Sequence, residues 1–163
     1  NGQSGSFGIH ARNTLKFVLN QNINLSKSCN FICSEGEAIS LADNYADILT
    51  ISFGIRNVSN REKCLNECFR ILKPGGIFMC MEFSLPNDIL LRNLYDSWSY
   101  GLIPKLGKLI VGEEGPYKYL VDSIRTFPNP EEFNDMIIEA GFKKTTIKQL
   151  TGNIVCIYRA EKI

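Results

Sequence analysis

The residues best suited to chemistry follow the predicted strands directly. In the segment Ser52 to Asn57, an apolar strand ends at Gly54 and is followed at once by Arg56 and Asn57. A guanidinium stays protonated and is a poor base, so Arg56 offers a fixed positive charge and hydrogen-bond donors beside the amide of Asn57. An arginine at such a junction is also commonly a solvated surface residue. The segment therefore indicates either stabilisation of an anion or an ordinary surface turn.

Two further segments place carboxylates after strands. Glu35 and Gly36 follow an apolar stretch, where they could contact an adenine or a ribose or simply form a polar loop. Glu82 lies near the end of a strand that is otherwise apolar, and a charge buried there is costly unless it is paired. Ligands of open parallel sheets bind beyond the carboxyl ends of the strands, so these segments are the candidate site. The sequence also predicts a partner for Glu82.

Strands and helices alternate along the chain in an order that would position these segments. Apolar and β-branched runs predict strands over residues 31–33, 46–53 and 77–83. A capping box formed by Ser59 and Glu62 predicts a helix between the last two strands. With short joins, this order requires a parallel strand pair and a right-handed crossover.

The C-terminal part predicts an antiparallel edge. Asn129 is expected to cap a helix that has Pro130 in its first turn and ends at Gly141. Strands over residues 145–150 and 153–159 follow and form an antiparallel pair. Three more helices are predicted, over residues 11–20, 88–101 and 117–124. The fold class is therefore α/β, with a sheet that has an antiparallel C-terminal edge.

Length and composition exclude several function classes. A chain of 163 residues, of which 44% are hydrophobic, is expected to form a single domain over residues 1–163, with a flexible start over residues 1–10. The formal net charge of +1 offers no basic stripe, so nucleic acid is not an expected partner. No apolar run reaches the ~18 residues of a membrane span, so at most a surface contact with a bilayer is expected.

The six cysteines are interpreted as buried, reduced thiols rather than as a disulfide framework, because several of them lie in apolar, periodic segments. Their spacing does not match a four-ligand zinc pattern, and the single histidine, His10, is distant in sequence. No metal site is predicted. The cysteines are Cys29, Cys33, Cys64, Cys68, Cys80 and Cys156.

The segment Arg70 to Gly76, continued by Met81 to Ser84, resembles the signature of the UbiE-type C-methyltransferases of ubiquinone and menaquinone biosynthesis. Leu-Lys-Pro-Gly-Gly alone marks many class I methyltransferases. Joined to Glu-Phe-Ser and preceded by Ile51 to Asn57, it is far more specific, and the likeness continues through Tyr117 to Ser123. The resemblance implies a Rossmann-like class I methyltransferase sheet, mostly parallel, and S-adenosylmethionine as cofactor.

The resemblance also implies which residues hold the cofactor. Glu35 and Gly36 match the family's adenine-contacting pair, although the first of the two is usually asparagine, and Ser52 matches a further cofactor-site residue. Class I methyltransferases also use a glycine-rich turn after their first strand, which this sequence lacks. Because Ser6 to His10 resembles a family segment upstream of that turn, the N-terminal part is expected to be incomplete, with a break near residues 10–13.

On the substrate side, Arg56 and Asn57 resemble the family's pair beside the reacting ring, which belongs to a polyprenylated benzoquinol or naphthoquinol. Methylation of an aromatic carbon needs electron density, best supplied by a phenolate, and Arg56 would stabilise that oxyanion. Tyr95 and Asp96 are weaker candidates for substrate contact, since they are more typical of a core aromatic and of a charge on a helix surface. Residues 88–128 are expected to form a helical flap over the isoprenoid tail.

Alternative functions stay open at this point. The chain could be a catalytically inert methyltransferase-like subunit that binds partners or a quinone, or a methyltransferase for another small lipid. A homodimer, a quinone-biosynthesis complex and a peripheral membrane contact are all compatible with the resemblance. Bacterial cytoplasm and mitochondrial matrix, including the inner face of the inner membrane, both fit reduced thiols.

Overall fold

The structure is a computed structural model, which describes residues 32–86 and 115–163. The chain divides into two compact units, Asn1–Glu35 and Gly36–Ile163. Residues 32–34 of the first unit have irregular backbone, so the strand predicted over residues 31–33 is wrong for Ile32 and Cys33. Both residues are exposed, and neither pairs with a strand of the described part of the chain.

The described part of the second unit contains four strands and three α-helices. In chain order these are β1 (Ala46–Ser52), a 3-10 turn (Ile55–Asn57), α1 (Arg61–Ile71), β2 (Leu72–Phe83), α2 (Gly115–Arg125), α3 (Pro130–Glu139), β3 (Lys143–Leu150) and β4 (Val155–Glu161). The strands lie in the order β1-β2-β4-β3. Strands β1 and β2 are parallel, whereas β4 is antiparallel to both β2 and β3. The predicted α/β sheet with an antiparallel C-terminal edge is confirmed.

Helix α1 connects the parallel strands β1 and β2 and packs on the sheet through its apolar face. Cys64, Leu65, Cys68 and Ile71 are buried on that face, and the first three join the core formed with the sheet. Helix α3 covers the same core with Phe133 and Ile137, neither of which has exposed surface. Burial of a side chain of this size contributes about 2 kcal/mol to stability, so these contacts hold both helices on the sheet.

The cap predicted for helix α3 is confirmed, whereas the one predicted for α1 is wrong. The Asn129 side chain accepts a hydrogen bond from the Glu132 backbone N–H, and the Glu132 carboxylate accepts one from that of Asn129. Helix α1 begins one residue later than a Ser59 cap would place it. Its cap is Asn60, whose side-chain oxygen accepts a hydrogen bond from the Lys63 backbone N–H. Two adjacent polar residues were both suitable, and the backbone geometry selected the second.

Strand β2 begins earlier than predicted, since it includes the Lys73-Pro74-Gly75-Gly76 turn. Gly76 lies so close to β1 that a β-carbon there would be 3.2 Å from the Asp47 carbonyl oxygen and 2.8 Å from that of Lys73. The contact with the Lys73 carbonyl oxygen is too short for a real β-carbon and the one with Asp47 is tight, so a larger residue at this position would force the turn or β1 to shift.

The remaining predicted helices divide between the described and undescribed parts of the chain. Helix α2 confirms the one predicted over residues 117–124. The helices predicted over residues 11–20 and 88–101, and the rest of the flap up to residue 114, lie outside the described residues. Of the described helices, none is long and apolar enough to cross a membrane.

Four cysteines are buried free thiols, as predicted: Cys64, Cys68, Cys80 and Cys156. Cys33 is also free but exposed, which contradicts the prediction for that residue, and Cys29 lies outside the described residues. Within residues 32–86 and 115–163, no group of three or more histidine, cysteine or acidic side chains is placed to hold a metal ion.

We expect the buried thiols to resist alkylation. Burial raises the pKa of the Cys80 thiol and of the Cys156 thiol, so both lack thiolate and access at neutral pH. Labelling with iodoacetamide, followed by peptide mass spectrometry, should modify Cys33 on the order of 100-fold faster than Cys80. In denaturant the rates should converge. Equal rates in the native protein would contradict this packing.

Candidate active site

The candidate site lies at the carboxyl ends of the parallel strands β1 and β2. Ser52, the last residue of β1, is paired with Met81 near the end of β2. The Phe53 backbone N–H donates to the Met81 carbonyl oxygen at 2.8 Å, which extends the pairing by one residue. The side chain of Ser52 is exposed at this edge, where the prediction placed it.

The chain leaves β1 through Phe53 rather than through the glycine that follows it. Phe53 adopts a left-handed backbone with φ of 53°, whereas Gly54 has an ordinary φ of −118°. This conformation costs a non-glycine residue about 1–2 kcal/mol. The Phe53 ring packs against Phe83, with centroids 4.4 Å apart, which helps to hold the strained residue in place. The 3-10 turn that follows brings Arg56 to Glu82, near the end of β2.

Arg56 is largely buried, and it is paired at the point where the two strands end. Its Nη1 donates to Glu82 Oε1 at 2.8 Å, and its backbone N–H donates to Glu82 Oε2 at 3.3 Å. Only 11% of the Arg56 side chain is exposed, and Glu82 has no exposed surface. Arg56 is therefore not a solvated surface residue, and the partner predicted for Glu82 is confirmed.

The guanidinium of Arg56 is oriented on several sides. Nη1 also donates to the Phe53 carbonyl oxygen, and the guanidinium carbon lies 5.5 Å from the centroid of the Phe83 ring. Nε is buried, yet has no hydrogen-bond partner among the described residues. Buried polar atoms normally have a partner, so this donor marks a position where a ligand oxygen or a water would be stabilised.

Asn57 is held by a residue that the sequence did not single out. The Tyr119 hydroxyl, on helix α2, donates to Asn57 Oδ1 at 2.9 Å. With its oxygen occupied, the Asn57 amide presents its N–H donors. Tyr119 lies within the segment that carries the family resemblance, but its spacing from Asn57 gave no signal of the contact.

The loop that begins at Gly36 is fastened to helix α1. Glu37 Oε1 accepts a hydrogen bond from the Asn60 backbone N–H at 2.8 Å, and Arg70 donates to the carbonyl oxygens of Ile39 and Leu41 at 2.9 and 2.8 Å. A β-carbon at Gly36 would lie 3.8 Å from Val58, the residue that follows Asn57. The loop therefore approaches the end of the 3-10 turn and leaves Gly36 exposed.

The predicted site residues thus fall into three groups. Arg56, Asn57 and Ser52 lie together at the strand ends, and Gly36 lies on the adjoining loop. Glu35 is the last residue of the first unit, and its relation to this edge is not described. Tyr95 and Asp96 lie outside the described residues. The cofactor and substrate roles of all these residues stay predictions.

Comparison with known proteins gives the family. Residues 13–162 match the model of the ubiE/COQ5 methyltransferase family. The chain belongs to this family. It is 47% identical over 133 residues to the mitochondrial 2-methoxy-6-polyprenyl-1,4-benzoquinol methylase of Rattus norvegicus, covering 82% of this chain and 41% of the relative. To the ubiquinone/menaquinone biosynthesis C-methyltransferase UbiE of Rickettsia bellii it is 44% identical over 142 residues, covering 87% and 57%. The chain thus spans about half the length of these relatives.

Solved structures agree on the fold. An S-adenosylmethionine-dependent methyltransferase from Thermotoga maritima, described as a possible histamine N-methyltransferase, matches with a TM-score of 0.58 at 20% identity, covering 81% of this chain and 63% of that one. Human N-acetylserotonin methyltransferase, solved with its methyl donor, matches with a TM-score of 0.54 at 19% identity, covering 87% and 36%. The Rossmann-like methyltransferase fold expected from the sequence is confirmed.

The fastening of the Gly36 loop predicts a dependence of stability on pH. Arg70, bonded to the Glu67 carboxylate, lowers the pKa of Glu67 to about 2. Because the folded pKa is depressed, this contribution to the free energy of unfolding is complete above about pH 4.5 and is lost as the pH falls towards 2. Denaturant titrations over that range should show that the free energy of unfolding changes less with pH in Glu67→Gln than in the parent chain. The exposed Glu139→Gln variant should keep the parental slope.

Proposed function

We propose that this chain is part of an enzyme that transfers a methyl group from S-adenosylmethionine to a ring carbon of a prenylated benzoquinol or naphthoquinol. Family membership and the names of the rat and Rickettsia relatives support the reaction class and the substrate class. The observation that carries the proposal is the buried guanidinium of Arg56, whose Nε has no partner within the described part of the chain.

The arrangement suits carbon methylation of a phenolic ring. When bound, S-adenosylmethionine supplies a methyl group already activated by its sulfonium. The ring carbon becomes nucleophilic when its phenol is ionised, and a fixed guanidinium donor at the phenol oxygen favours that ionisation. A guanidinium is a poor base, so Arg56 would stabilise the oxyanion while water takes the phenol proton. After transfer, S-adenosylhomocysteine leaves and the methylated ring carbon loses its proton to water. The amide of Asn57, steadied by Tyr119, would orient a second ring oxygen.

The described residues also fit one side of the cofactor. Ser52 and Gly36 are exposed at the strand ends and the adjoining loop, so they leave room for the adenosine part of the donor. The loop is already fastened to helix α1, which lowers the entropy lost when it closes on a ligand. We assign Ser52 and Gly36 to this side of the proposed cofactor site, and for Glu35 the family resemblance alone supports a cofactor role.

The proposal extends to location and partners. The rat relative is mitochondrial and the Rickettsia relative bacterial, which supports the mitochondrial matrix or the bacterial cytoplasm. A polyprenyl tail partitions into lipid, so the enzyme would work at the inner face of the inner membrane through a peripheral contact. A homodimer or a complex with other quinone-biosynthesis proteins is compatible with this placement.

Calorimetry tests the cofactor. S-adenosylmethionine should bind this chain, and Ser52→Ala or Gly36→Val should weaken the binding about fivefold to tenfold, the loss of roughly one hydrogen bond or one close approach. Lys73→Ala, an exposed residue at the opposite end of β2, should bind as the parent does. Absence of binding under every condition would contradict the proposal for this chain and favour an inert subunit.

Product analysis tests the reaction. With a prenylated quinol, the product should gain one methyl group on a ring carbon. Arg56→Lys keeps the charge but loses the planar fork and should lower kcat on the order of 100-fold. Tyr119→Phe, which releases the Asn57 amide, should lower it about fivefold. Tyr45→Phe is the matched control, because Tyr45 is an exposed tyrosine at the other end of β1. A prenylated quinol recovered without a carbon-bound methyl, under conditions in which the donor binds, would contradict the substrate assignment.

A further inference from the structure

Glu82 is an unexpected residue for its place in the fold. It lies near the end of β2 with no exposed surface. Taking a carboxylate out of water is strongly unfavourable, and an apolar residue of similar volume often stabilises a core at least as well as a buried ion pair does. The fold alone therefore gives no reason for a charge here.

The carboxylate of Glu82 collects donors from both strand ends. Oε1 accepts from Arg56 Nη1 at 2.8 Å and from the Phe83 backbone N–H at 2.9 Å. Oε2 accepts from the Arg56 backbone N–H at 3.3 Å. One side chain on β2 thus restrains both the main chain and the guanidinium of a residue 26 positions away, in the turn after β1.

These contacts leave the guanidinium with a single orientation. Nη1 is shared between Glu82 and the Phe53 carbonyl oxygen, and the Phe83 ring lies beside the guanidinium. Nε is a buried donor on the same guanidinium, without a partner in residues 32–86 or 115–163. Because Glu82 neutralises the charge of Arg56, the pair acts on a ligand through a directed hydrogen bond more than through net positive charge.

We propose that Glu82 is a positioning residue for the methyl transfer. Its carboxylate fixes Arg56 so that Nε meets the phenolate oxygen of the substrate, while Glu82 itself stays out of contact with the substrate. This inference rests on the proposed function, because it assumes that Arg56 contacts the phenolate. It adds the residue that orients the Arg56 guanidinium.

A double-mutant cycle tests the inference. Glu82→Gln keeps the volume and one acceptor oxygen but sets an N–H₂ group against the donors, so kcat for a prenylated quinol should fall by on the order of 100-fold with little change in KM for S-adenosylmethionine. If Glu82 acts through Arg56, the double variant with Arg56→Lys should be no slower than Arg56→Lys alone. A purely structural role would give additive losses and would overturn the inference.

Controls separate charge from position. Glu161 is a matched control because its carboxylate also pairs with cations, Lys144 and Arg159. It lies at the end of β4, whereas Glu82 is paired with Cys156 near the start of that strand. Glu161→Gln should therefore leave kcat unchanged. Glu82→Asp keeps the charge but shortens its reach, so its kcat should lie between those of the parent and Glu82→Gln. Parental kcat in a folded Glu82→Gln would also overturn the inference.

A second measurement does not depend on turnover or on the stability of the variant. In the NMR spectrum of the unmodified chain, the Arg56 guanidinium should show slow rotation and a protected Nε–H, and both should be lost in whichever Glu82 variant folds. Rapid rotation in the unmodified chain would overturn the inference. If the unmodified chain binds S-adenosylmethionine yet methylates no quinol, the proposed function fails, and the state of Arg56 still decides whether Glu82 positions it.

Discussion

The contact between Arg56 and Glu82 joins the turn after β1 to the end of the neighbouring parallel strand β2. Three donors from two segments meet on one carboxylate, so the turn after β1 cannot move without breaking a desolvated charge pair. Removing one member of such a pair strands the other, which is why the remaining site geometry depends on it. The rings of Phe53 and Phe83 pack against each other beside this contact.

Much of the fold was predictable because local and periodic signals agreed. The apolar face of helix α1, the acidic first turn of helix α3 and the apolar run Ile77 to Met81 within β2 each reflect short-range physics that needs no tertiary context. The errors occurred where two adjacent solutions were nearly equal in energy, as at Ser59 and Asn60, or where packing overrode intrinsic preference. Phe53 belongs to the second kind, since nothing local favours a phenylalanine over the next glycine for a left-handed backbone.

The residues of the site could be predicted from the sequence, but the contacts between them could not. A strand end carrying arginine and asparagine could be read directly, and the cost of a buried carboxylate showed that Glu82 needed a partner. Which partner it has depends on how β1 and β2 align, and a side chain such as Tyr119 reaches Asn57 across 62 residues of chain. Neither contact follows a helical or strand period, so no pattern in the sequence could have identified them.

The left-handed Phe53 links two properties that usually vary separately. A glycine at this position would relax the backbone, but it would also remove the ring that packs beside Phe83 and would add freedom to the unfolded chain. No single substitution at this position can therefore both relax the backbone of the turn and keep the contact between the two rings. Substitution of Phe53 therefore has a cost in either direction, even though this residue carries no polar side chain.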